Sequence, residues 1–121
     1  MVRWNLKEVF FNDDLITEEK IDAYYFRMCT DHILDAKVSL ARSLNSEPDD
    51  SYIRRIADIK NQTLIIWGEN DEWIPLESGY QFKNDLSNSE LVILPECGHI
   101  PQEEKPEQTA KIIINFIERD R

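Results

Sequence analysis

Along the first half of the chain, apolar residues recur with the period of a helix. Thr17 followed by Glu18 and Glu19 supplies an N-cap and an acidic first turn, and Ile21, Tyr24, Tyr25 and Met28 then share one face. Asp31 caps a second predicted helix whose inner face is Leu34, Val38, Ala41 and Leu44. The polar stretch "NSEPDD" at 45–50 breaks this pattern. A shorter helix is predicted after it, with Asp50 as cap and Ile53, Ile56 and Ala57 turned inward. Aromatic and methionine side chains at helical spacing fit a core face better than a cofactor pocket.

The second half changes period. "TLIIW" at 63–67 and "ELVIL" at 90–94 are short, nearly uninterrupted apolar runs rich in β-branched residues, the pattern of parallel strands covered on both faces. Between them Pro75 and "LESGYQFKNDL" read as a turn and a helix. After them Pro106 fits a first helical position, and Ala110, Ile113, Ile114 and Ile117 form the predicted inner face of a closing helix. The fold class is therefore α/β, with two parallel strands, a crossover helix and a C-terminal helix. A crossover of this length makes the strands parallel, so both end at one edge of the sheet. Ligands of open α/β sheets bind outside that edge. There "GEND" and "PECGH" face one another across a strand spacing of about 4.8 Å.

Composition narrows the partners. A chain of 121 residues supports one compact domain, and 41% hydrophobic residues with only 3 Gly and 5 Pro mark a folding sequence. A net charge of −10 argues against nucleic acid and anionic membrane surfaces, both of which call for clustered Lys and Arg. With no long apolar run and no disulfide framework in Cys29 and Cys97, a cytoplasmic location with free thiols is expected.

An acidic residue after one strand and a histidine after the next is the arrangement a general base requires, because the carboxylate holds the imidazole in one tautomer. Asp71 and His99 can form it; Glu69, Glu72, Glu96 and Glu103 are rival carboxylates that spacing alone leaves open. Cys97 as a nucleophile would need an electropositive site, yet Glu96, Glu103 and Glu104 surround it in sequence. Cys29, His32, Cys97 and His99 equal the ligand count of a structural zinc site, but their spacings match no finger.

"LIIWGENDEWIP" and "LVILPECGHIPQEEKPE" resemble the C-terminal portion of the α/β-hydrolase fold family. The resemblance implies that Asp71, in Gly68-x-x-Asp71, is the triad acid, and that His99, with Gly98, Pro101, Glu104, Lys105 and Pro106 around it, is the catalytic histidine. It is specific over about 56–117. Residues 1–57 resemble the later part of the helical cap of such enzymes, and residues 58–121 the C-terminal part of the core. Trp73 and Ile100 would then edge the pocket.

The departure from the family is the nucleophile. Its members carry a G-x-S-x-G elbow and an earlier oxyanion loop. Here the glycines are Gly68, Gly79 and Gly98, and no pair brackets a serine. A triad acts as a unit, so the expected function is a C-terminal fragment or truncated homologue of a serine-dependent hydrolase, inactive by itself. A small-molecule substrate is expected only on completion by the first half, and no cofactor or metal is implied. In the family another strand lies beside "TLIIW", so an open edge here implies a homo-oligomer or a partner chain. The alternative is a non-enzymatic binding or oligomerising module that uses the same edge.

Overall fold

The computed structural model describes residues 2–30, 32–44 and 55–119. The elements run α1 (Val2–Val9), a 3-10 turn (Asp13–Leu15), α2 (Glu18–Met28), α3 (Ile33–Leu44), β1 (Thr63–Gly68), α4 (Leu76–Asp85), β2 (Ser89–Leu94), α5 (Pro101–Glu104) and α6 (Pro106–Glu118). The two strands are parallel neighbours, in register from Thr63 opposite Ser89 to Gly68 opposite Leu94. Both therefore finish at one edge. This is the α/β arrangement of two parallel strands, a crossover helix and a C-terminal helix that the strand and helix pattern predicted.

Local chemistry explains most of the boundaries. The Thr17 hydroxyl accepts from the Lys20 amide at 3.2 Å and starts α2, whose first turn carries Glu18 and Glu19. Pro75 precedes α4 and Pro106 opens α6, where a missing N–H costs the helix nothing. Gly79 in α4 lets the Trp67 indole lie against the helix backbone, since a Cβ there would sit 3.1 Å from the ring. Trp67 also donates from Nε1 to the Ile74 carbonyl at 3.2 Å, which ties the crossover to β1. Asp31, Asp50 and Ile53, expected as two caps and an inward residue, lie outside the described residues.

The buried apolar cluster lies beside the helices, away from the sheet. Leu6, Val9, Phe10 and Ile16 are buried together, with Val2, Leu15, Ile21, Tyr24 and Ile100 packed around them. Each such side chain contributes about 1.5–3 kcal/mol when fully buried. Ile100 belongs to the loop after β2, so this core joins α1 and α2 to that loop.

Several predicted inner faces differ from the structure. In α6, Ile113, Ile114 and Ile117 are 40%, 52% and 55% exposed and Ala110 is also exposed; Thr109 is buried, with Ile112 and Phe116 half-buried. Helix α6 is apolar over more than one stripe, and two strands offer too little surface to cover both. For the same reason β1 and β2 are mostly half-buried, not sealed on both faces. In α2, Tyr25 points outward, and in α3 Val38 and Ala41 are exposed. Ile56 is half-buried but Ala57 is exposed.

Replacing Gly68 by Ala tests the close approach at the end of β1. An added Cβ would overlap the Gly98 carbonyl oxygen and lie 2.5 Å from that of Cys97. Denaturant unfolding of Gly68→Ala should show a loss on the order of 3 kcal/mol. A wild-type midpoint would refute the approach.

Candidate active site

Past the strands the ladder continues into the two loops. Glu69 donates its N–H to the Leu94 carbonyl at 2.9 Å, and Asn70 donates to that of Cys97 at 2.9 Å. Glu96 adopts a left-handed φ of 49°, which turns the chain after Pro95 and sends Cys97, Gly98 and His99 back over the end of β1. The loops thus meet backbone to backbone.

Asp71 and His99 meet there as side chains. Asp71 Oδ2 lies 2.8 Å from His99 Nδ1, and the Asp71 side chain is 4% exposed against 27% for His99. The other oxygen, Oδ1, accepts the Trp73 and Ile74 amides at 2.9 Å each. These donors fix the plane of the carboxylate. With Nδ1–H directed at the carboxylate, Nε2 keeps its lone pair and is the atom able to take a proton. The Trp73 ring stands beside the imidazole, centroids 5.3 Å apart.

The rival groups go elsewhere. Glu69, Glu72 and Glu96 are exposed. Glu103 accepts from the Tyr24 hydroxyl at 2.7 Å and from Lys20 at 3.1 Å, tying α2 to α5. Burial pushes the Tyr24 phenol up to about 12, with the Glu103 hydrogen bond and charge adding to it. Burial also acts to raise the Glu103 carboxyl, but the Tyr24 and Lys20 hydrogen bonds outweigh it and hold the group below its ordinary value. Cys97 is fully buried, and burial, then the nearby Glu104 carboxylate, push its thiol up to about 11. That is the opposite of an activated nucleophile. Cys29 and His32 are exposed, and His32 faces Asp35 at 3.7 Å. Among the described residues no three His, Cys, Asp or Glu side chains converge as a metal site.

The imidazole opens onto a cavity of about 310 Å³, lined by Val2, Leu6 and Val9 of α1, Tyr24 and Met28 of α2, Lys37 of α3, and Trp73 and Ile100. Trp73 and Ile100 edge this space, as expected of them. Helix α1 was not predicted, although Val2, Leu6 and Val9 recur at helical spacing. Its contribution includes the Val9 carbonyl, which accepts the His99 backbone N–H at 2.8 Å. A main-chain acceptor leaves no mark in a sequence.

Comparison with known proteins shows the family. A family model described as the alpha/beta hydrolase fold matches residues 19–106. The chain belongs to the α/β-hydrolase fold family. It is 31% identical over 119 residues to a 2-hydroxy-6-oxononadienedioate/2-hydroxy-6-oxononatrienedioate hydrolase of Pseudomonas putida, covering 93% of this chain and 41% of that protein. The corresponding hydrolase of Escherichia coli is 34% identical over 113 residues, covering 92% of this chain and 38% of that protein. A solved meta-cleavage product hydrolase of Pseudomonas fluorescens superposes with a TM-score of 0.80 at 22% identity, over 99% of this chain and 45% of that one. A serine hydrolase involved in carbazole degradation gives 0.82 at 24% identity, over 97% and 46%. The chain thus spans about two fifths of the length of the curated relatives it matches. Among the described residues no helix of this α/β hydrolase chain is long and apolar enough to cross a membrane.

Two outcomes follow from the titrating groups. Iodoacetamide at pH 8 should label Cys29 in the folded chain and leave Cys97 unmodified until denaturant is added; equal labelling would contradict the buried thiol. Because the folded Glu103 value lies below its ordinary 4.5, the tie to α2 contributes stability above that pH and loses it as pH falls through the lower folded value. Thermal unfolding should therefore fall more steeply below pH 4.5 in the wild type than in Glu103→Gln. Parallel pH curves would contradict that assignment.

Proposed function

We propose that this chain supplies the acid and the base, with part of the cap, of a serine-dependent α/β hydrolase whose nucleophile and oxyanion donors lie outside these residues. The observation that carries the reading is the 2.8 Å contact of Asp71 with His99 Nδ1, which leaves Nε2 beside an apolar cavity. In the completed site Nε2 takes the proton of the serine hydroxyl as it attacks a carbonyl carbon. The imidazolium, stabilised by Asp71, then returns that proton to the leaving group. Water repeats the cycle on the acyl-enzyme. The substrate class we propose follows the relatives: an unsaturated 2-hydroxy-6-oxo acid. Such a molecule has no ester or amide, so hydrolysis adds hydroxide to the oxo carbon and a proton to the carbon that leaves it.

By itself the chain is proposed to be inert, since base and acid without nucleophile or oxyanion donors lack the parts that form the tetrahedral intermediate. Turnover of a 2-hydroxy-6-oxo dienoate, and of a p-nitrophenyl ester as a general probe, should appear only when the first part of a relative is supplied in trans or by fusion. It should then drop roughly ten-thousand-fold in His99→Ala. Turnover by the chain alone, or a completed protein indifferent to His99→Ala, would overturn the proposal.

The completing partner is proposed to seat on the open edge of β1 and the isoleucines of α6. β1 pairs with β2 along one edge, and Ile113, Ile114 and Ile117 are exposed nearby. Light scattering of the chain alone at micromolar concentration is expected to show a dimer or larger species. A stable, folded monomer would count against this surface.

A further inference from the structure

The backbone on both sides of the imidazole is fixed through one buried residue, by its carboxylate on one side and its amide on the other. Glu104 ends α5 and is only 9% exposed. Its Oε1 accepts the Gly98 amide at 2.7 Å, and its Oε2 accepts the Phe11 amide at 2.8 Å. Its own amide donates to the Ile100 carbonyl at 3.1 Å. Gly98 and Ile100 flank His99, whose amide in turn donates to Val9. Three consecutive residues of the histidine loop are thus pinned, and two of the pins lead to Val9 and Phe11, on either side of buried Phe10. Glycine is required at 98 for this fit. An added Cβ would overlap the Val9 carbonyl oxygen and lie 2.9 Å from both Glu104 Oε1 and the Phe11 nitrogen.

We propose that Glu104 is a positioning residue for His99: its carboxylate clamps the Gly98 and Phe11 amides together, so that the end of α1 holds the imidazole against Asp71. Both partners are N–H donors, and a carboxylate presents an oxygen acceptor to each. A glutamine accepts one and turns its own NH2 against the other. Because α1 also lines the cavity, the clamp makes the pocket wall and the base a single mechanical unit. A ligand that shifts α1 therefore acts on the orientation of His99. The catalytic meaning of this inference rests on the reading of His99 as the base, but its test does not.

The test uses the 15N-labelled 121-residue chain and nuclear magnetic resonance. In wild type, the Gly98, His99 and Phe11 amides should exchange with solvent together and slowly, and the His99 Nδ1 proton should be held in its bond to Asp71. In Glu104→Gln, exchange of those amides and of the His99 Nδ1 proton should accelerate by at least about tenfold, with the His32 ring signals unchanged. Leu86→Ala removes a buried side chain from the end of the crossover helix and serves as a destabilised control. It should leave the Nδ1 proton as in wild type once exchange is corrected for global stability. Acceleration confined to the amides, with the ring proton unmoved in Glu104→Gln, would overturn the inference. Should that variant fail to fold, the wild type decides by itself: Gly98 and Phe11 amides that exchange independently of one another would also overturn it.

Discussion

The site depends on the contact between the two loop backbones that follow β1 and β2. Parallel strands end side by side, but that alone leaves their trailing loops free to diverge. Here Gly68 has no side chain to hold the returning Cys97–Gly98 segment away, and Asn70 donates to the Cys97 carbonyl at 2.9 Å. The distance between Asp71 and His99 follows from this approach. An alanine-sized obstruction at Gly68 would displace the histidine loop and, with it, the imidazole. A hydrogen bond that lengthens by even half an ångström loses much of its directional hold.

A chain with so much negative charge manages its buried carboxylates by giving each a full set of donors. Asp71 has two amides and an imidazole, Glu104 has two amides, and the less buried Glu103 has a phenol and an ammonium. Among the described residues no buried side-chain nitrogen or oxygen lacks a partner. Asp71 is the one of the three that bonds an imidazole. It holds the imidazole, while Glu103 and Glu104 fasten helices to the histidine loop. The buried apolar cluster serves the same end, because Ile100 anchors in it directly after His99.

Much of this was legible in the sequence where local chemistry decides the outcome. The strands predicted at 63–67 and 90–94 fall within observed limits of Thr63–Gly68 and Ser89–Leu94, and the Thr17 cap and the proline at the start of α6 are where their residue types place them. The choice of Asp71 over Glu69 and Glu72 was not available from spacing. It depends on a turn that aims one side chain inward and leaves the others in solvent. The isoleucine face of α6 was misjudged because periodicity records which residues are apolar and not whether the neighbouring layer is wide enough to cover them. Helix α1 and the Val9 carbonyl escaped because their role is to meet the histidine loop some ninety positions later, and no local pattern encodes that meeting.

The central claim is geometric, and a crystal structure of the chain tests it most directly. The account requires Asp71 Oδ2 within hydrogen-bonding reach of His99 Nδ1, near the 2.8 Å found here, with Trp73 and Ile74 amides on Oδ1. Electron density placing the two side chains beyond about 3.6 Å of each other, with no exchange between subunits to bring them together, would contradict it.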